Sequence, residues 1–462
     1  MNERMASPRS GLLRLMVLLF WIAARSAFAS ESNGPSEAPS SWPDSNVILV
    51  SIDTLRPDHL GAYGYDKPTS PHLDEIAREG VLFRNAVAPS PTTLPSHTSL
   101  FTGLSPSSHG VVVSQGRKAP PELVTMAEVL SAQGYTTASV NDGVYLGARF
   151  GLGQGFSHFE QVHDSVGRKA KQSTRLTDRV ARAFTWLDQA KPKRFFLFVH
   201  SYEVHIPLTP PVETLSMFEE AYDGPLGDTI LTGEWFEQAN TTKDPADIQH
   251  WIRLYDASIR SADAGFGALV RGLRERGLYD DSLIIVVSDH GEELGERTGL
   301  SLHGNTLFDE ALRIPLLVKF PGGEFAGRVV DDQVRLIDVF PTVLAALGLE
   351  SRKGIDGRSL LPTLRADEGE RPAVSVTEEN QAALRMPPWK LYRRGSAVTL
   401  FNLEDDPGER RDVADEHPEV VESLGIRLKE LTTEDADQLQ RARRKKLSKN
   451  TREQLRALGY VE

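Results

Sequence analysis

Three apolar stretches of this chain end in side chains that bind metals. The residues concerned are Asp53 after NVILVSI, Asp289 and His290 after LIIVVS, and His200 near the end of FFLFVHS. The carboxyl ends of parallel strands meet at one edge of a sheet, where ligands bind. Carboxylate oxygens and imidazole nitrogens together suit a divalent cation, so we predict a metal site formed by Asp53, Asp289 and His290. On its own, His200 is more typical of a histidine buried at a strand end.

A second stretch with chemical potential is SPTTLPSHTSLFTG, from Ser90 to Gly103. Pro95 suits the first turn of a helix, where its missing N–H costs nothing. Thr93 is then expected just before this helix, at the positive end, where free N–H groups favour an anion. A hydroxyl that contacts a metal there could ionise and attack a substrate. The alternative interpretation is that Thr93 only caps the helix.

The elements that must position these residues form an α/β pattern. The runs NVILVSID, FFLFVHS, LIIVVSDHG and IPLLVKF alternate little, which is typical of strands buried on both faces of a parallel sheet. Between them, HLDEIAREG and PELVTMAEVLSAQG have helical character and stop at Gly80 and Gly134. We therefore predict a doubly wound, mostly parallel sheet flanked by helices.

The sequence pattern changes after about Leu364. WKLYRRGSAVTLFNLE predicts two short strands around Gly395, and the chain from Pro418 onward is mostly helical. The predicted segments are a signal peptide (1–29), a linker (30–45), a catalytic domain (46–365), a small antiparallel β subdomain (366–415) and a helical tail (416–462).

The first 29 residues predict export. Arginines flank LLRLMVLLFWIAA, and AFA at 27–29 matches a small-x-small cleavage site, so a periplasmic or extracellular protein is expected. The apolar run is short for a spanning helix, although an uncleaved anchor is the alternative. After cleavage, no stable insertion in a membrane is expected.

Composition narrows the class of protein. A chain of 462 residues with 40% hydrophobic and 25% charged residues is long enough for a large core. The net charge of -12 argues against a nucleic-acid partner, which needs a surplus of cations. The chain has no cysteine and therefore no disulfides. The run RARRKK is more typical of a solvated helix face than of a site for an anionic partner.

Five motifs, in this order, resemble the sulfatase family of the alkaline phosphatase superfamily. They are NVILVSIDTLRPDHLGAYGY, PTTLPSHTSLFTGLSPSSHGV, FVHSYEVHIPLTPP, SDHGEELGE and HGNTLFDEALRIPLLV. LFNLEDDPGE and the final LRALGYVE also resemble C-terminal segments of sulfatases. The resemblance implies an alkaline phosphatase-like fold and a metal-dependent hydrolase of sulfate or phosphate esters.

The nucleophile motif departs from the family pattern. Sulfatases carry Cys-x-Pro-x-Arg, whose cysteine is oxidised to formylglycine, but the matching ends of the motif here are Thr93 and His97. Threonine cannot form that aldehyde, so no formylglycine is expected. The second aspartate of the family is replaced by Thr54, and the lysine and histidine that follow the next strand are absent from ASVNDGVYLG.

Other branches of the superfamily use a threonine nucleophile bound to metal. By this resemblance the metal ligands are Asp53, Thr93, Asp289 and His290, holding one divalent ion that we leave open as Ca, Mg, Mn or Zn. The resemblance also places His205 near the leaving group, and His303 where sulfatases often have a lysine that contacts the ester. Either His205 or His303 could be the general acid that protonates the leaving oxygen. We expect His97, His205 and His303 to be catalytic residues beside Thr93.

Three interpretations of function follow. The first is an exported hydrolase of sulfate or phosphate esters, with Thr93 favouring phosphate esters or diesters. The second is a phospho-group transferase or phosphodiesterase of the same superfamily. The third is a sulfatase-like binding protein without turnover. The natural substrate and the oligomeric state stay open.

Overall fold

The computed structural model describes residues 41–112, 114, 117–162, 175–218, 222–224, 226, 244–297, 303–366, 369, 371–377 and 380–432. The predicted signal peptide, most of the predicted linker, the RARRKK run and the final LRALGYVE lie outside the described residues. Within the described parts of the chain, none of the helices combines the length and apolar character needed to cross a bilayer.

The main element is an eight-stranded sheet in the order β4-β3-β5-β1-β6-β7-β2-β8. Its strands are β1 (Asn46–Ile52), β2 (Val81–Val87), β3 (Thr136–Asn141), β4 (His158–Gln161), β5 (Phe195–Ser201), β6 (Ser282–Val287), β7 (Arg313–Lys319) and β8 (Arg328–Arg335). The neighbours β4, β3, β5, β1 and β6 are parallel, as the apolar runs predict. The prediction for IPLLVKF was wrong in direction, because β7 runs antiparallel to both β6 and β2.

Helices cover both faces of this sheet. The helices of the described chain are α1 (Pro71–Glu79), α2 (Thr93–Thr102), α3 (Pro106–His109), α4 (Met126–Ala132), α5 (Leu176–Ala190), α6 (Val212–Leu215), α7 (Pro245–Glu275), α8 (Asp309–Leu312), α9 (Val339–Ala346) and α10 (Pro418–Thr432). Of these, α10 packs against the second sheet described below. Short 3-10 turns lie at 57–59, 61–63, 148–150, 216–218, 321–323, 336–338 and 362–364.

The core lies in two layers, one on each side of the sheet. Val47 and Leu49 of β1 pack in one layer, while Ile48 and Val50 pack in the other. Because alternate residues point to opposite faces and both faces are covered, the strand is apolar without interruption. This burial explains why the strand runs could be recognised in the sequence.

Two helix ends follow local signals in the sequence. Helix α1 ends at Gly80, as predicted. Helix α4 begins later than the stretch from Pro121 suggests, because Thr125 accepts a hydrogen bond from the Glu128 N–H at 3.2 Å and its own N–H donates to Glu128 Oε2 at 2.9 Å. This reciprocal capping box fixes the start of the helix.

A second sheet follows, with the antiparallel order β12-β11-β10-β9. Its strands are β9 (Ala373–Val376), β10 (Gln381–Met386), β11 (Trp389–Arg394) and β12 (Ala397–Asn402). The predicted strand pair around Gly395 is confirmed, and Gly395 takes the positive φ of +59° that the tight turn requires. Helix α10 matches the predicted helical start of the tail.

The described chain begins to pack before β1. The Trp42 N–H donates to Ala346 O at 2.6 Å, and its ring lies 5.3 Å from that of Phe320. Trp42 falls within the predicted linker, yet it is part of the packed structure.

Candidate active site

The predicted metal ligands meet at the carboxyl edge of the large sheet. Asp53 follows β1, and Asp289 and His290 follow the adjacent strand β6. One ligand atom from each of the three residues lies within 4.8 Å of the others, and all three side chains are fully buried. His290 Nε2 is 3.4 Å from Asp289 Oδ2 and 3.9 Å from Asp53 Oδ1.

The ligand atoms of this cluster fit a cation. Both oxygens of Asp53, Asp289 Oδ2 and His290 Nε2 are buried and find no hydrogen-bond partner among the described residues. His290 Nδ1 lies 2.9 Å from Gly291 O, which can only accept, so Nδ1 carries the proton and Nε2 offers its lone pair. Buried polar atoms without partners are costly, and a divalent cation held by Asp289 Oδ2, His290 Nε2 and one oxygen of Asp53 would satisfy these three atoms.

The two carboxylates differ in electrostatic environment. Burial raises the pKa of Asp53 well above its ordinary value, and the Asp289 carboxylate raises it further. Burial has the same effect on Asp289, but the neighbouring imidazoles of His290 and His97 outweigh it and lower the pKa of Asp289 to about 2. Two adjacent acids in a dry site repel each other, which a cation between them would reverse.

The helix that carries Thr93 begins one residue earlier than predicted. Thr92 occupies the N-cap with extended backbone angles, and Thr93 is the first residue of α2. The capping interpretation of Thr93 is therefore wrong: its hydroxyl is fully buried and has no hydrogen-bond partner in the described part of the chain. All ten residues of α2 are buried, so the hydroxyl is held on an enclosed helix.

His97 connects the start of α2 to the metal cluster. Its Nδ1 lies 3.0 Å from Thr93 O and 3.5 Å from Asp289 Oδ2, while its Nε2 lies 3.1 Å from Ser51 Oγ. Burial lowers the pKa of His97 to about 4, so the ring is neutral at pH 7. A neutral His97 ring that donates a hydrogen bond from Nδ1 to Thr93 O and accepts one at Nε2 from the Ser51 hydroxyl fixes the first turn of α2 against β1.

His200 lies at the site rather than only at a strand end. It is the penultimate residue of β5, fully buried, and its Nε2 is 3.3 Å from Asp53 Oδ2. Its Nδ1 lies 3.1 Å from Asp142 O, and Asp142 in turn forms a 3.0 Å ion pair with Arg179. The interpretation of His200 as a buried strand-end residue is therefore correct but incomplete.

His205 and His303 form the other wall of the site. Their rings are 5.0 Å apart, and the His303 ring is 4.7 Å from that of His290. His303 Nδ1 lies 2.9 Å from Glu292 Oε1. Burial opposes protonation of His303, but the Glu292 carboxylate raises the pKa of His303 above its ordinary value. Burial and the nearby His303 hold the pKa of His205 well below its ordinary value, so this site favours protonation of His303 and disfavours protonation of His205.

Thr54 supports the cluster through its backbone. Its N–H donates to Asp289 Oδ1 at 3.4 Å, and its hydroxyl lies 2.8 Å from Asp53 O and 3.1 Å from Val204 O. The side-chain oxygen is therefore engaged with main-chain carbonyls. Its φ of +56° is unusual for a β-branched residue and stores of the order of 1–3 kcal/mol of strain.

The loop after β6 is fixed from two sides. Ser288 Oγ accepts from Leu55 N at 2.9 Å, and the Arg56 guanidinium donates to Glu292 O at 2.8 Å. On the other side, Gly291 N donates to Ala311 O at 2.9 Å. A Cβ at Gly291 would lie 2.1 Å from Glu310 O, so only glycine permits this contact.

A comparison with protein-family models decides the family. The sulfatase model matches residues 45–349, and the model for the C-terminal region of N-sulphoglucosamine sulphohydrolase matches residues 303–434. The chain belongs to the sulfatase family. It is a sulfuric or phosphoric ester hydrolase of the alkaline phosphatase superfamily.

Several known proteins are similar to this sulfatase. The multifunctional alkaline phosphatase superfamily protein PehA of Trinickia caryophylli is 29% identical over 397 residues, covering 69% of this chain and 77% of that protein. Human arylsulfatase A is 25% identical over 474 residues, covering 82% and 86%. The crystal structure of a phosphonate monoester hydrolase of Agrobacterium radiobacter shares the fold, with a TM-score of 0.71, 22% identity and coverage of 84% and 95%.

The fold brings all seven predicted site residues into one region. Contacts or short distances link Asp53, Thr93, His97, His205, Asp289, His290 and His303 into one site. Sequence reasoning missed Ser51 and Glu292 and underrated His200. Ser51 and His200 occupy paired positions of adjacent strands, and Glu292 follows His290 by two residues, so strand register and motif proximity were the available signals.

Proposed function

We propose that this sulfatase-family enzyme cleaves sulfate or phosphate esters with one divalent cation in the cluster and Thr93 as nucleophile. The observation that carries the proposal is the buried Thr93 hydroxyl, which has no partner among the described residues and begins a helix joined to the cluster by His97. The proposed ligands are Asp53, Thr93, Asp289 and His290. The ion could be Ca, Mg, Mn or Zn, since two carboxylates, a hydroxyl and one imidazole suit each of them. When bound, it would lower the pKa of the hydroxyl and offset charge on the transferred group.

The residues of the chain then have separate tasks. Thr93 gives up its proton to water and attacks the phosphorus or sulfur at the start of α2, where a helix N-terminus favours developing negative charge. As the bond to the leaving oxygen breaks, His303 donates a proton to that oxygen. Its ion pair with Glu292 favours the protonated form that this role needs. A water oxygen then bonds to the phosphorus or sulfur as the bond to Thr93 Oγ1 breaks, a proton of that water returns to Thr93, and His303 takes up a proton from solvent.

His97 and His205 hold neighbouring groups in place and do not transfer protons. His97 holds the start of α2 against Asp289, and His205 packs against His303. Both rings are neutral in this site, because burial holds the pKa of each below its ordinary value. A neutral His97 stands where other sulfatases carry an arginine, which reduces the positive charge next to the nucleophile.

This chemistry favours phosphate esters, and diesters above monoesters. A formylglycine hydrate can release sulfate by collapsing to its aldehyde, but a threonyl sulfate needs direct attack by water. A threonyl phosphate can be hydrolysed by an in-line water as charge spreads over the phosphoryl oxygens. The reduced positive charge at His97 suits a diester with one negative charge better than a monoester with two.

The test compares matched aryl phosphodiester, phosphate monoester and sulfate ester substrates by kcat/KM. We expect the diester to be preferred, Thr93→Ala to lose at least about 10³-fold in activity, and Thr93→Ser to retain part of it because the hydroxyl is preserved. A clear preference for the sulfate ester, or full activity of Thr93→Ala, would refute the assignment of Thr93.

A further inference from the structure

Asp53 Oδ2 and His200 Nε2 lie next to each other, and both are hydrogen-bond acceptors. Asp142 O can only accept, so the 3.1 Å contact requires the proton of a neutral His200 ring to be on Nδ1. The lone pair of Nε2 then points to Asp53 Oδ2, 3.3 Å away. Both side chains are 0% exposed, and neither atom has a hydrogen-bond partner in the regions that the structure describes. Two acceptors this close in a dry interior repel each other unless a proton or a metal cation lies between them.

A third acceptor lies on the next strand. Val140 of β3 pairs with Val199 of β5, so Asn141 and His200 occupy the next register position and share a face of the sheet. Asn141 Nδ2 donates to Ser139 Oγ at 2.8 Å. Its Oδ1 is buried and has no partner among the residues described. The adjacent strands β3, β5 and β1 thus end in an amide oxygen, an imidazole nitrogen and a carboxylate oxygen.

One ion in the cluster of Asp53, Asp289 and His290 does not satisfy this second group of acceptors. His290 approaches Asp53 Oδ1, whereas His200 approaches Oδ2. Among the described residues, the group of acids and histidines whose ligand atoms all lie within 4.8 Å contains Asp53, Asp289 and His290 but not His200. Bonds of about 2.1 Å allow ligands of one ion to be at most about 4.2 Å apart.

We propose that a second divalent cation binds between Asp53 Oδ2 and His200 Nε2, with Asn141 Oδ1 as a further ligand. A ligand separation of 3.3 Å fits bonds of about 2.1 Å that meet at an angle of about 100°. One imidazole nitrogen and two oxygens favour Mn²⁺ or Zn²⁺ over Ca²⁺. Asp53 then bridges two cations, an arrangement that can stabilise both the attacking and the leaving oxygen of a displacement. The inference rests on the proposed function only for the ion held by Asp53, Asp289 and His290.

The experiment counts metal ions in the full-length protein. Protein stripped with a chelator is reloaded with Mn²⁺, passed over a desalting column and analysed for bound metal. We expect two Mn²⁺ per chain in the natural protein and one in His200→Ala. The control is His109→Ala, which removes another buried histidine that contacts Ser99 Oγ at 2.9 Å rather than a carboxylate, and it should keep two.

The natural protein also provides a test that needs no variant. Two Mn²⁺ ions bridged by Asp53 give an exchange-coupled electron paramagnetic resonance spectrum, whereas one isolated ion gives six lines. One ion per chain with a six-line spectrum overturns the second site and leaves the first intact, as does an unchanged count of two in His200→Ala. A count of zero overturns the metal-dependent function itself.

Discussion

Glu203 makes the stability of this enzyme depend on pH. It follows β5 by two residues and is 6% exposed, and its Oε2 accepts a hydrogen bond from Leu176 N at 2.8 Å at the start of α5. Burial raises the pKa of Glu203 from 4.5 to about 7. Glu203→Gln keeps an oxygen acceptor for Leu176 N but removes the titration.

The sign of the effect follows from proton binding. Between pH 4.5 and 7 the folded chain keeps the Glu203 proton while the unfolded chain has lost it, so the free energy of unfolding falls as pH rises. Above pH 7 Glu203 is charged in the folded and the unfolded chain, and the folded chain bears the full free-energy cost of burying that charge. The difference between 4.5 and about 7 corresponds to about 3 kcal/mol.

Urea unfolding at pH 5 and pH 8 measures this cost. We expect Glu203→Gln and the natural protein to differ by less than about 1 kcal/mol at pH 5. At pH 8 the variant should be more stable by up to about 3 kcal/mol. Glu213→Gln serves as the matched control, because Glu213 is exposed. An equal pH dependence in Glu203→Gln and the natural protein would show that burial does not perturb this group.

Three further predictions concern the cluster, its support and the start of the chain. Asp289→Ala and His290→Ala should each lower bound metal sharply while circular dichroism stays native, and full occupancy by elemental analysis would contradict the ligand assignment. Thr54→Val should lower the free energy of unfolding by about 1–3 kcal/mol, because two buried carbonyls lose a hydrogen-bond donor. Thr54→Ser keeps the hydroxyl and should keep most of this stability. Equal losses in the two variants would exclude the hydroxyl as the cause. The mature protein should begin near Ser30 outside the cytoplasm, and an intact N-terminus in the cytosolic fraction by mass spectrometry would disprove cleavage.

The sequence predicts the large sheet better than the direction of each strand. A strand with helices on both faces is apolar throughout, so the four runs could be recognised. The same burial is found in β7, which runs the other way, because burial depends on what covers a strand and not on its direction. The sequence IPLLVKF therefore carries no signal for its reversal.

The start of α2 was ambiguous for a physical reason. Proline is tolerated throughout the first turn of a helix, because the N–H groups there have no partner in the helix. Pro95 lies at the third helical position, and adjacent Thr92 and Thr93 have the same capping chemistry. Only the backbone geometry distinguishes the cap from the candidate nucleophile.

The site itself was predictable where one strand end supplied the residue. Asp53, Asp289 and His290 follow directly from β1 and β6. The roles of Ser51 and His200 depend on register across two strands and on the position of α2 above them, which a single sequence does not fix. The ion pair of His303 with Glu292 joins two loops, and loop packing leaves no periodic signal.

The enclosure of α2 has a consequence for the heat tolerance of catalysis. A helix with every residue buried cannot fray from its first turn without opening the surrounding core, so its amide protons should exchange only through large-scale opening. The Thr93 hydroxyl is therefore ordered once, during folding, and no further conformational entropy is lost to order it in each turnover. Activity that depends on this hydroxyl should then persist on heating until the domain melts as a whole, without an earlier decline from a loosened nucleophile.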